Sequence, residues 1–367
     1  MRIAYMLTSL GIAGAERQVV ALAECMAARG HAVAILVLRP RAAAEWSTDI
    51  KVVYLNMHKN PVSALAALVR ARRFLRAFRP DVVHSHTFYA NIFARGLRAI
   101  GAAPCVVSTL HNVYEGARWR TYAYRLTDGL SCHTTAVSQA VALRSISVGA
   151  VPHSKCTVLT NGIDTREFSP QQNRRTTTRQ AMHACEAFVW LAVGRIAPAK
   201  DYPNLLRAFE QVLTALPQTE LWIAGEPSDP PAPLPGLLNT REDNARVHWL
   251  GLRRDIPSLL DAADAFVLSS AWEGMPLAVG EAMAMQKPVA ATDVGGVKEL
   301  TGDCASIVPP KDSDALAAAM LAVMRTRSDE VHAQGLAARA RIETCFSIDA
   351  KADEIESLYI CLLAHPS

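Results

Sequence analysis

The amino-acid sequence predicts an α/β protein built from two doubly wound domains. The chain has 367 residues, which is long for one hydrophobic core and suits two α/β domains of about 150–200 residues each. Half of the residues are hydrophobic and 20% are charged, a composition typical of globular proteins. Short apolar, β-branched runs alternate with helical patterns in both halves, which indicates parallel sheets covered on both faces by helices.

Two series of apolar runs predict the two sheets. The first series predicts strands at residues 3–7, 32–38, 52–55, 82–84, 105–108, 133–137 and 156–159. The second series predicts strands at residues 189–193, 220–224, 247–250, 265–268, 288–291 and 305–308. Each series therefore forms its own doubly wound domain.

The domain boundary is predicted in the polar stretch 169–179, which has few side chains able to build a core and is interpreted as a linker. A last helix near residues 350–363 needs an apolar surface for Ile355, Leu358, Ile360 and Leu362. It is expected to cross back onto the first domain. The predicted domains are residues 1–168 together with 348–367, and residues 169–347.

The eight cysteines are scattered, with no C-x-x-C pair and no cluster near histidines: Cys25, Cys105, Cys132, Cys156, Cys185, Cys304, Cys345 and Cys361. This pattern predicts neither a metal site nor a disulfide framework, and it indicates a reducing compartment. The apolar start of the chain runs directly into a glycine turn and an amphipathic helix, so we interpret it as a buried strand instead of a signal peptide. The expected location is the cytoplasm.

Charge is distributed unevenly along the chain. Residues 1–164 hold 19 Lys and Arg against 8 Asp and Glu, a net charge of +11, whereas residues 165–367 hold 19 against 26, a net charge of −7. A basic half attracts an anionic partner, which is a nucleic acid, an anionic membrane surface or a phosphorylated substrate.

Segments that directly follow strands are the candidate ligand sites, because doubly wound sheets bind ligands at the carboxyl ends of their strands. The first such segment, residues 9–16, contains Gly11, Ile12 and Gly14 before a helix. Gly14 lets the backbone approach a ligand, and the free N–H groups of the helix start suit a phosphate. The alternative is a simple strand-to-helix turn. The G-x-x-G spacing differs from the dinucleotide fingerprint G-x-G-x-x-G, which argues against an NAD enzyme.

The second segment runs from Gly194 to Lys200 after the strand at 189–193. Arg195 and Lys200 can clamp a diphosphate, the arginine with a planar fork and the lysine as a point charge. Two fixed cations can offset the charge on a departing diphosphate without a metal. Solvated surface charge is the alternative interpretation.

The third segment, residues 270–283, follows the strand at 265–268 and contains Glu273 on a loop and Glu281 on the following helix. Pro276 suits the first turn of this helix. The two carboxylates can flank a polyhydroxylated ligand, and the backbone N–H groups of Leu277 and Ala278 can face its phosphates. A capped helix with an exposed glutamate is the alternative.

Together these motifs resemble the family-4 retaining glycosyltransferases in order and approximate spacing over nearly the whole chain. The resemblance includes Asn161-Gly162-Ile163-Asp164 and the segment Thr292-Asp293-Val294-Gly295-Gly296. It implies the GT-B fold of two Rossmann-like domains, with acceptor on the first and nucleotide-sugar donor on the second. It also implies a UDP-sugar as the favoured donor and a saccharide or lipid-linked saccharide as acceptor, with no cofactor and no metal.

The same resemblance implies roles for individual residues. Arg195 and Lys200 hold the donor diphosphate, Glu281 binds the ribose hydroxyls, and Glu273 contacts hydroxyls of the transferred sugar. From the first domain, Gly14 approaches the phosphate. The family often has a glycine pair where this chain has Ala13-Gly14, so close backbone approach is expected at Gly14.

His111 follows the strand at 105–108 and is expected at the ligand edge, where similar enzymes place a histidine beside the donor sugar. A purely structural role is the alternative. Asn112 stands where similar enzymes often have an aspartate, so this chain departs from the family pattern there and carries no charge at this position. His84 and His86, at the end of the preceding strand, are hypothetical acceptor-side residues.

A basic helical segment predicts contact with an anionic membrane through Arg70, Arg72, Arg73, Arg76 and Arg79. In this hypothesis Phe74, Leu75 and Phe78 insert at the lipid interface. The alternative is a helix that packs one face on the sheet and solvates its arginines.

Two other classes of function compete with sugar transfer. A nucleotide-sugar epimerase of the same shape needs no acceptor, and a non-catalytic nucleotide-binding or nucleic-acid-binding protein would suit the basic first half. No nucleic-acid motif or stacking platform is evident, so no nucleic-acid partner is expected.

Overall fold

The computed structural model describes residues 1–11, 13–41, 47–114, 116–184, 186–227 and 245–365. Ile12, which belongs to the candidate segment 9–16, and Cys185, one of the eight cysteines, lie outside the described residues. The chain divides into two compact units. Unit 1 is Met1–Gly162 with Ile348–Ser367, and unit 2 is Ile163–Ser347. The predicted first boundary, between residues 168 and 169, lies a few residues further along the chain.

Unit 1 contains a parallel sheet whose described strands are β1 (Arg2–Leu7), β2 (Ala32–Val37), β3 (Lys51–Tyr54), β4 (Val82–His86), β5 (Val106–Leu110), β6 (His133–Ala136) and β7 (Cys156–Val158). Its helices are α1 (Gly14–Ala28), α2 (Pro61–Phe78), α3 (Phe88–Ala99), α4 (Arg118–Thr127) and α5 (Gln139–Ser147), with α13 (Ile348–Ala364) from the chain end. The strand order is β3-β2-β1-β4-β5-β6-β7.

Unit 2 contains a second parallel sheet whose described strands are β8 (Phe188–Val193), β9 (Thr219–Ala224), β10 (Val247–Gly251), β11 (Ala265–Leu268), β12 (Val289–Thr292) and β13 (Ser306–Val308). Its described helices are α6 (Gln172–Ala181), α7 (Tyr202–Ala215), α8 (Ile256–Ala262), α9 (Leu277–Ala284), α10 (Val297–Thr301), α11 (Ser313–Arg325) and α12 (Ser328–Arg341). The strand order β10-β9-β8-β11-β12-β13 repeats the doubly wound pattern of unit 1.

These two sheets confirm the predicted fold class of two doubly wound, Rossmann-like domains. The strands are apolar because helices cover both faces of each sheet. In unit 1, one face packs on α1 and α13, and the other packs on α2 and α3. In unit 2, α7 and α11 cover one face.

The last helix, α13, packs in the core of unit 1 through Ile348, Ala352, Ile355 and Tyr359. Leu358 and Leu362 pack partly against the same cluster. Ile360 differs from the expectation, since 57% of its surface is exposed. Ion pairs from Arg29, the residue directly after α1, to Asp353 (2.5 Å) and Glu356 (3.4 Å) add to the contact.

The prediction that the polar stretch 169–179 is a linker is wrong, because most of this stretch lies in helix α6, which packs on α8. Three of its arginines bind the carboxylates of Asp261 in α8 and of Asp264 directly before β11. Arg174 pairs with Asp261 at 2.6 Å, and Arg175 and Arg179 pair with Asp264 at 2.6 and 3.1 Å. Ion pairs and hydrogen bonds to backbone carbonyls replace the apolar contacts that the sequence lacks.

Helix α2 differs from its predicted orientation. Leu75 is buried, while Phe74 and Phe78 stack on each other (5.4 Å between centroids) against the core. The hypothesis that these three side chains insert into lipid is therefore wrong. The helix exposes Val62, Leu65 and Val69 instead.

Candidate functional site

The predicted motifs of unit 2 leave neighbouring strands at the switch point of the sheet. Strand β8 pairs with β9 on one side and with β11 on the other, so the chain order reverses between β8 and β11. Residues 194–201 follow β8 and residues 269–276 follow β11. A crevice at this point is the general ligand position in doubly wound sheets.

Lys200 and Glu273 meet at this edge. The Lys200 Nζ donates to Glu273 Oε1 at 2.6 Å, and the Ser270 hydroxyl donates to the same oxygen at 2.7 Å. The side chains of Lys200 and Glu273 are 21% and 15% exposed. Among the described residues Oε2 of Glu273 has no hydrogen-bond partner, so it can accept from a ligand.

The two loops are held together through their backbones. The Ala271 N–H donates to the carbonyl of Ala199 at 2.8 Å, and the Ser269 hydroxyl donates to the Lys200 carbonyl at 2.8 Å. From β12, the Thr292 hydroxyl donates to the Ser270 carbonyl at 2.7 Å. This network fixes Lys200 and Glu273 on rigid backbone, which is what a pre-organised site needs.

Glycines allow this close approach of backbones. A Cβ on Gly295, whose φ is +55°, would lie 2.4 Å from the Glu273 carbonyl oxygen. A Cβ on Gly225 would lie 1.9 Å from the Gly194 carbonyl oxygen, and one on Gly194 would lie 2.6 Å from Lys200 Cε. Gly225 was missed from sequence, where its position directly after β9 was the available signal.

Arg195 is exposed, and it forms no ion pair or side-chain hydrogen bond with the described residues. Its guanidinium is therefore free to bind an anion. Tyr202, also missed from sequence, donates to the Gly194 carbonyl at 2.7 Å. Burial and then the charge of Glu273 raise the pKa of Tyr202, so its hydroxyl stays protonated and holds the end of β8.

Helix α9 begins at Leu277, one residue later than predicted, with Pro276 as the residue before it. Leu277 and Ala278 are partly exposed, and the N–H groups of a first helical turn have no intrahelical partners. Glu281 is 5% exposed and already interacts with a neighbouring group.

In unit 1 the equivalent switch point lies between β1 and β4. Gly14 is exposed and begins α1, two residues earlier than the helix start expected near Glu16. The Ser9 hydroxyl donates to Glu16 at 3.0 Å across the intervening loop.

Three histidines lie on or directly after the adjacent strands β4 and β5, with His84 in the middle of β4, His86 at its end and His111 directly after β5. Both nitrogens of His84 are engaged, with Tyr359 Oη at 2.5 Å and Thr109 Oγ1 at 2.6 Å, so neither is available to an acceptor. His86 Nδ1 lies 3.0 Å from His111 Nε2. Burial lowers the pKa of His84 to about 3 and that of His111 to about 4. Burial, with the two neighbouring histidines, also holds the pKa of His86 well below its usual value. All three imidazoles are neutral at pH 7.

This chemistry suits a phosphorylated, hydroxylated ligand. Lys200 and Arg195 supply positive charge on one connection, while Glu273 supplies a hydrogen-bond acceptor on the next. The described residues contain no group of three or more His, Cys, Asp or Glu side chains arranged to hold a metal ion.

Relatives of known sequence cover both units. Residues 12–167 match Glycosyltransferase Family 4, and residues 187–326 match Glycosyl transferases group 1. The UDP-Gal:alpha-D-GlcNAc-diphosphoundecaprenol alpha-1,3-galactosyltransferase of Escherichia coli is 26% identical over 83% of this chain and 81% of its own length. The lipopolysaccharide core biosynthesis mannosyltransferase LpsB of Rhizobium meliloti is 31% identical over 56% of this chain and 61% of its own.

Solved structures share the fold. Anabaena HepE in complex with UDP aligns with a TM-score of 0.80 at 21% identity, covering 99% of this chain and all of HepE. The glycosyltransferase WaaG, involved in lipopolysaccharide biosynthesis, aligns with a TM-score of 0.73 at 17% identity, covering 97% of this chain and 99% of WaaG. With both halves matched and the doubly wound sheets in place, the chain belongs to the family-4 glycosyltransferases and has the GT-B fold.

Proposed function

We propose that this protein transfers a sugar, with retention of configuration, from a nucleoside-diphosphate sugar to a hydroxyl of a saccharide or lipid-linked saccharide. The observation that carries the proposal is the site of unit 2, where Lys200 contacts Glu273 at 2.6 Å. On the same connection Arg195 is exposed and forms no ion pair or side-chain hydrogen bond with the described residues. A UDP-sugar is the favoured donor, because the E. coli relative uses UDP-Gal and HepE binds UDP and UDP-glucose.

Each residue has a role in this proposal. Arg195 and Lys200 bind the diphosphate, and the N–H groups of Leu277 and Ala278 support its phosphates. Oε2 of Glu273 accepts from hydroxyls of the transferred sugar, and Glu281 binds the ribose. The family resemblance assigns Gly14 and His111 of unit 1 to the same donor.

The reaction proceeds on one face of the sugar. The bond from the anomeric carbon to the diphosphate oxygen breaks while the acceptor oxygen bonds to the same face of that carbon. The acceptor proton passes to the departing phosphate oxygen. The protein contributes position and fixed positive charge where negative charge builds up on the leaving group.

The donor is identified by thermal unfolding with UDP-, GDP-, ADP- and dTDP-sugars. A ligand at 100 times its Kd stabilises the native state by about 2.7 kcal/mol, so we expect only UDP-sugars to raise the Tm. NMR of the product should show the anomeric configuration of the donor sugar. An inverted product would contradict retention, and release of free epimerised sugar nucleotide without transfer would support the epimerase alternative.

We also propose that the acceptor is presented at an anionic membrane surface and that α2 docks there. Among the described helices, none combines the length and the apolar composition that a membrane span requires. Val62, Leu65 and Val69 are 79%, 64% and 61% exposed and share one helical face. Arg72, Arg73, Arg76 and Arg79 are exposed further along the helix. This combination suits a helix lying in the lipid interface.

Arg70 is the exception among the five predicted arginines. Its guanidinium donates to the Leu55 carbonyl, with Nε at 2.9 Å. Arg70 therefore ties α2 to the end of β3 instead of reaching toward lipid.

Charge reversal by Arg72→Glu/Arg73→Glu/Arg76→Glu is expected to abolish sedimentation with anionic liposomes at low salt. Each arginine near an anionic leaflet contributes about 1 kcal/mol, and salt screens the attraction. The control Arg207→Glu/Arg325→Glu/Arg327→Glu makes the same charge change at exposed positions of unit 2 and should still bind. Undiminished binding of the α2 variant would rule out docking through this helix.

A further inference from the structure

His86 and His111 form a pair that the proposed reaction does not yet explain. His86 ends β4, and His111 directly follows β5, the neighbouring strand. Their rings are 5.3 Å apart between centroids, and Nδ1 of His86 lies 3.0 Å from Nε2 of His111. The contact is a hydrogen bond, so one nitrogen donates and the other accepts.

The protonation state limits the pair to two arrangements. Both imidazoles are neutral, because burial lowers the pKa of each, and a neutral imidazole has one N–H and one bare nitrogen. Either His86 donates from Nδ1 to His111, or His111 donates from Nε2 to His86. The two arrangements place the remaining nitrogen of His111 in opposite roles toward a ligand.

The surroundings of His86 distinguish the two arrangements. His86 is 3% exposed, and its Nε2 is buried without a hydrogen-bond partner among the described residues. If His111 donated, His86 would carry its proton on Nε2 as a buried, orphaned N–H. If His86 donates, the orphan is only a bare nitrogen. Buried N–H groups without partners are rarer in proteins than unsatisfied acceptors.

We propose that His86 is a positioning residue that donates from Nδ1 to His111 and so fixes the His111 proton on Nδ1. His111 then presents a neutral hydrogen-bond donor to its ligand, and its Nε2 cannot serve as a base. The identity of that ligand rests on the proposed function, in which His111 contacts the donor sugar. The proton position does not depend on it.

The neighbour His84 provides a matched comparison. The rings of His84 and His86 pack against each other at a tilt of 34°, with 4.3 Å between centroids. The nitrogens of His84, however, bind Tyr359 and Thr109 and not His111. A change at His84 disturbs the same buried layer without removing the hydrogen bond to His111.

Nitrogen NMR of protein labelled with ¹⁵N-histidine tests the proton position directly, with signals assigned by loss in His111→Gln. We expect a neutral Nδ1–H tautomer for His111 in the wild type and in His84→Asn. In His86→Phe the signal should move toward the Nε2–H form. A wild-type Nε2–H tautomer, or an unchanged signal in His86→Phe, would overturn the proposal. Apart from this assignment, the wild-type measurement needs no substitution, and it does not require transfer to occur.

Two conservative variants test the position of the donor nitrogen. The amide nitrogen of His86→Asn can occupy the place of Nδ1, whereas that of His86→Gln lies near the place of Nε2. We expect His86→Asn to keep kcat within about 3-fold and His86→Gln to lose about 10-fold to 100-fold, the range seen when a metal-binding histidine loses the hydrogen-bond partner that orients it. Equal loss in both would refute positioning by His86. Absence of transfer by the wild type with every nucleotide sugar would instead refute the proposed function.

Discussion

Replacing Lys200 by methionine is expected to lower sugar transfer by about 10²–10³-fold, the range for removing one fixed group that stabilises developing charge. Methionine keeps the apolar stem that packs beside Gly194 but removes the ammonium group. It also leaves the Ser270 hydroxyl as the one remaining partner of the Glu273 carboxylate within the part of the chain that the structure describes. We expect the free energy of unfolding to fall by about 1–3 kcal/mol, the cost of a largely buried group that loses its partner.

The double variant Lys200→Met/Glu273→Gln separates these two effects. It removes both charges, so the free energy of unfolding should recover toward the wild-type value. Transfer and UDP affinity should stay low, because the cation for the diphosphate is still missing. Urea unfolding, calorimetric UDP binding and a transfer assay measure the three quantities. If transfer returned together with stability, Lys200 would serve only to neutralise Glu273.

Arg195→Ala provides the complementary case. Arg195 is exposed and unpaired among the described residues, so its removal should leave the free energy of unfolding unchanged. UDP affinity should fall about 10-fold or more, since a hydrogen bond to a charged group contributes about 1.5–3 kcal/mol. Arg327→Ala, an exposed arginine of the same unit, is the control that should change neither quantity.

Gly295→Ala is expected to abolish most of the transfer activity without touching a charged group. The new Cβ would lie 2.4 Å from the Glu273 carbonyl oxygen and 2.7 Å from that of Gly274. The loop must move, and displacement of a site residue by about 1 Å can cost about 100-fold in rate. The free energy of unfolding should fall by about 1–2 kcal/mol for the left-handed backbone and by about 1–3 kcal/mol for overpacking.

The control Gly251→Ala isolates the backbone contribution. Gly251 has φ +64°, close to that of Gly295, but beyond its own two chain neighbours no described residue has a heavy atom within 4 Å of the added Cβ. We expect this variant to lose only the 1–2 kcal/mol of the left-handed backbone and to keep most of its transfer activity. Equal losses of stability and activity in the two variants would contradict the role given to the close contact at Glu273.

The sequence by itself determined the two parallel sheets and the edge where the site lies. Apolar runs fix strands because both faces of such sheets are buried, and the described strands fall within one or two residues of the predicted runs. Glu273 and Lys200 could be selected because each follows a strand of unit 2. In doubly wound sheets, ligands bind at the carboxyl ends of the strands even when the loop sequences differ.

The local sequence pattern led to wrong predictions where contacts between residues far apart in sequence determine the structure. Helix α6 has almost no apolar side chains. It is held in place by ion pairs of Arg174 with Asp261 and of Arg175 with Asp264, whose partners lie 87 and 89 residues apart in sequence. The lipid-facing assignment of Phe74 and Phe78 failed for a related reason. An amphipathic pattern gives the period of a helix, but only the packed sheet decides which face is covered.

The partners within the site were likewise decided by the tertiary structure alone. Lys200 and Glu273 are 73 residues apart in sequence, and they meet only because β8 and β11 are neighbours in the sheet. The His86–His111 pair arises in the same way from the neighbouring strands β4 and β5. The sequence thus determined which side chains stand at strand ends, whereas strand order decided which of them touch, because hydrogen bonds and ion pairs act over only a few ångströms.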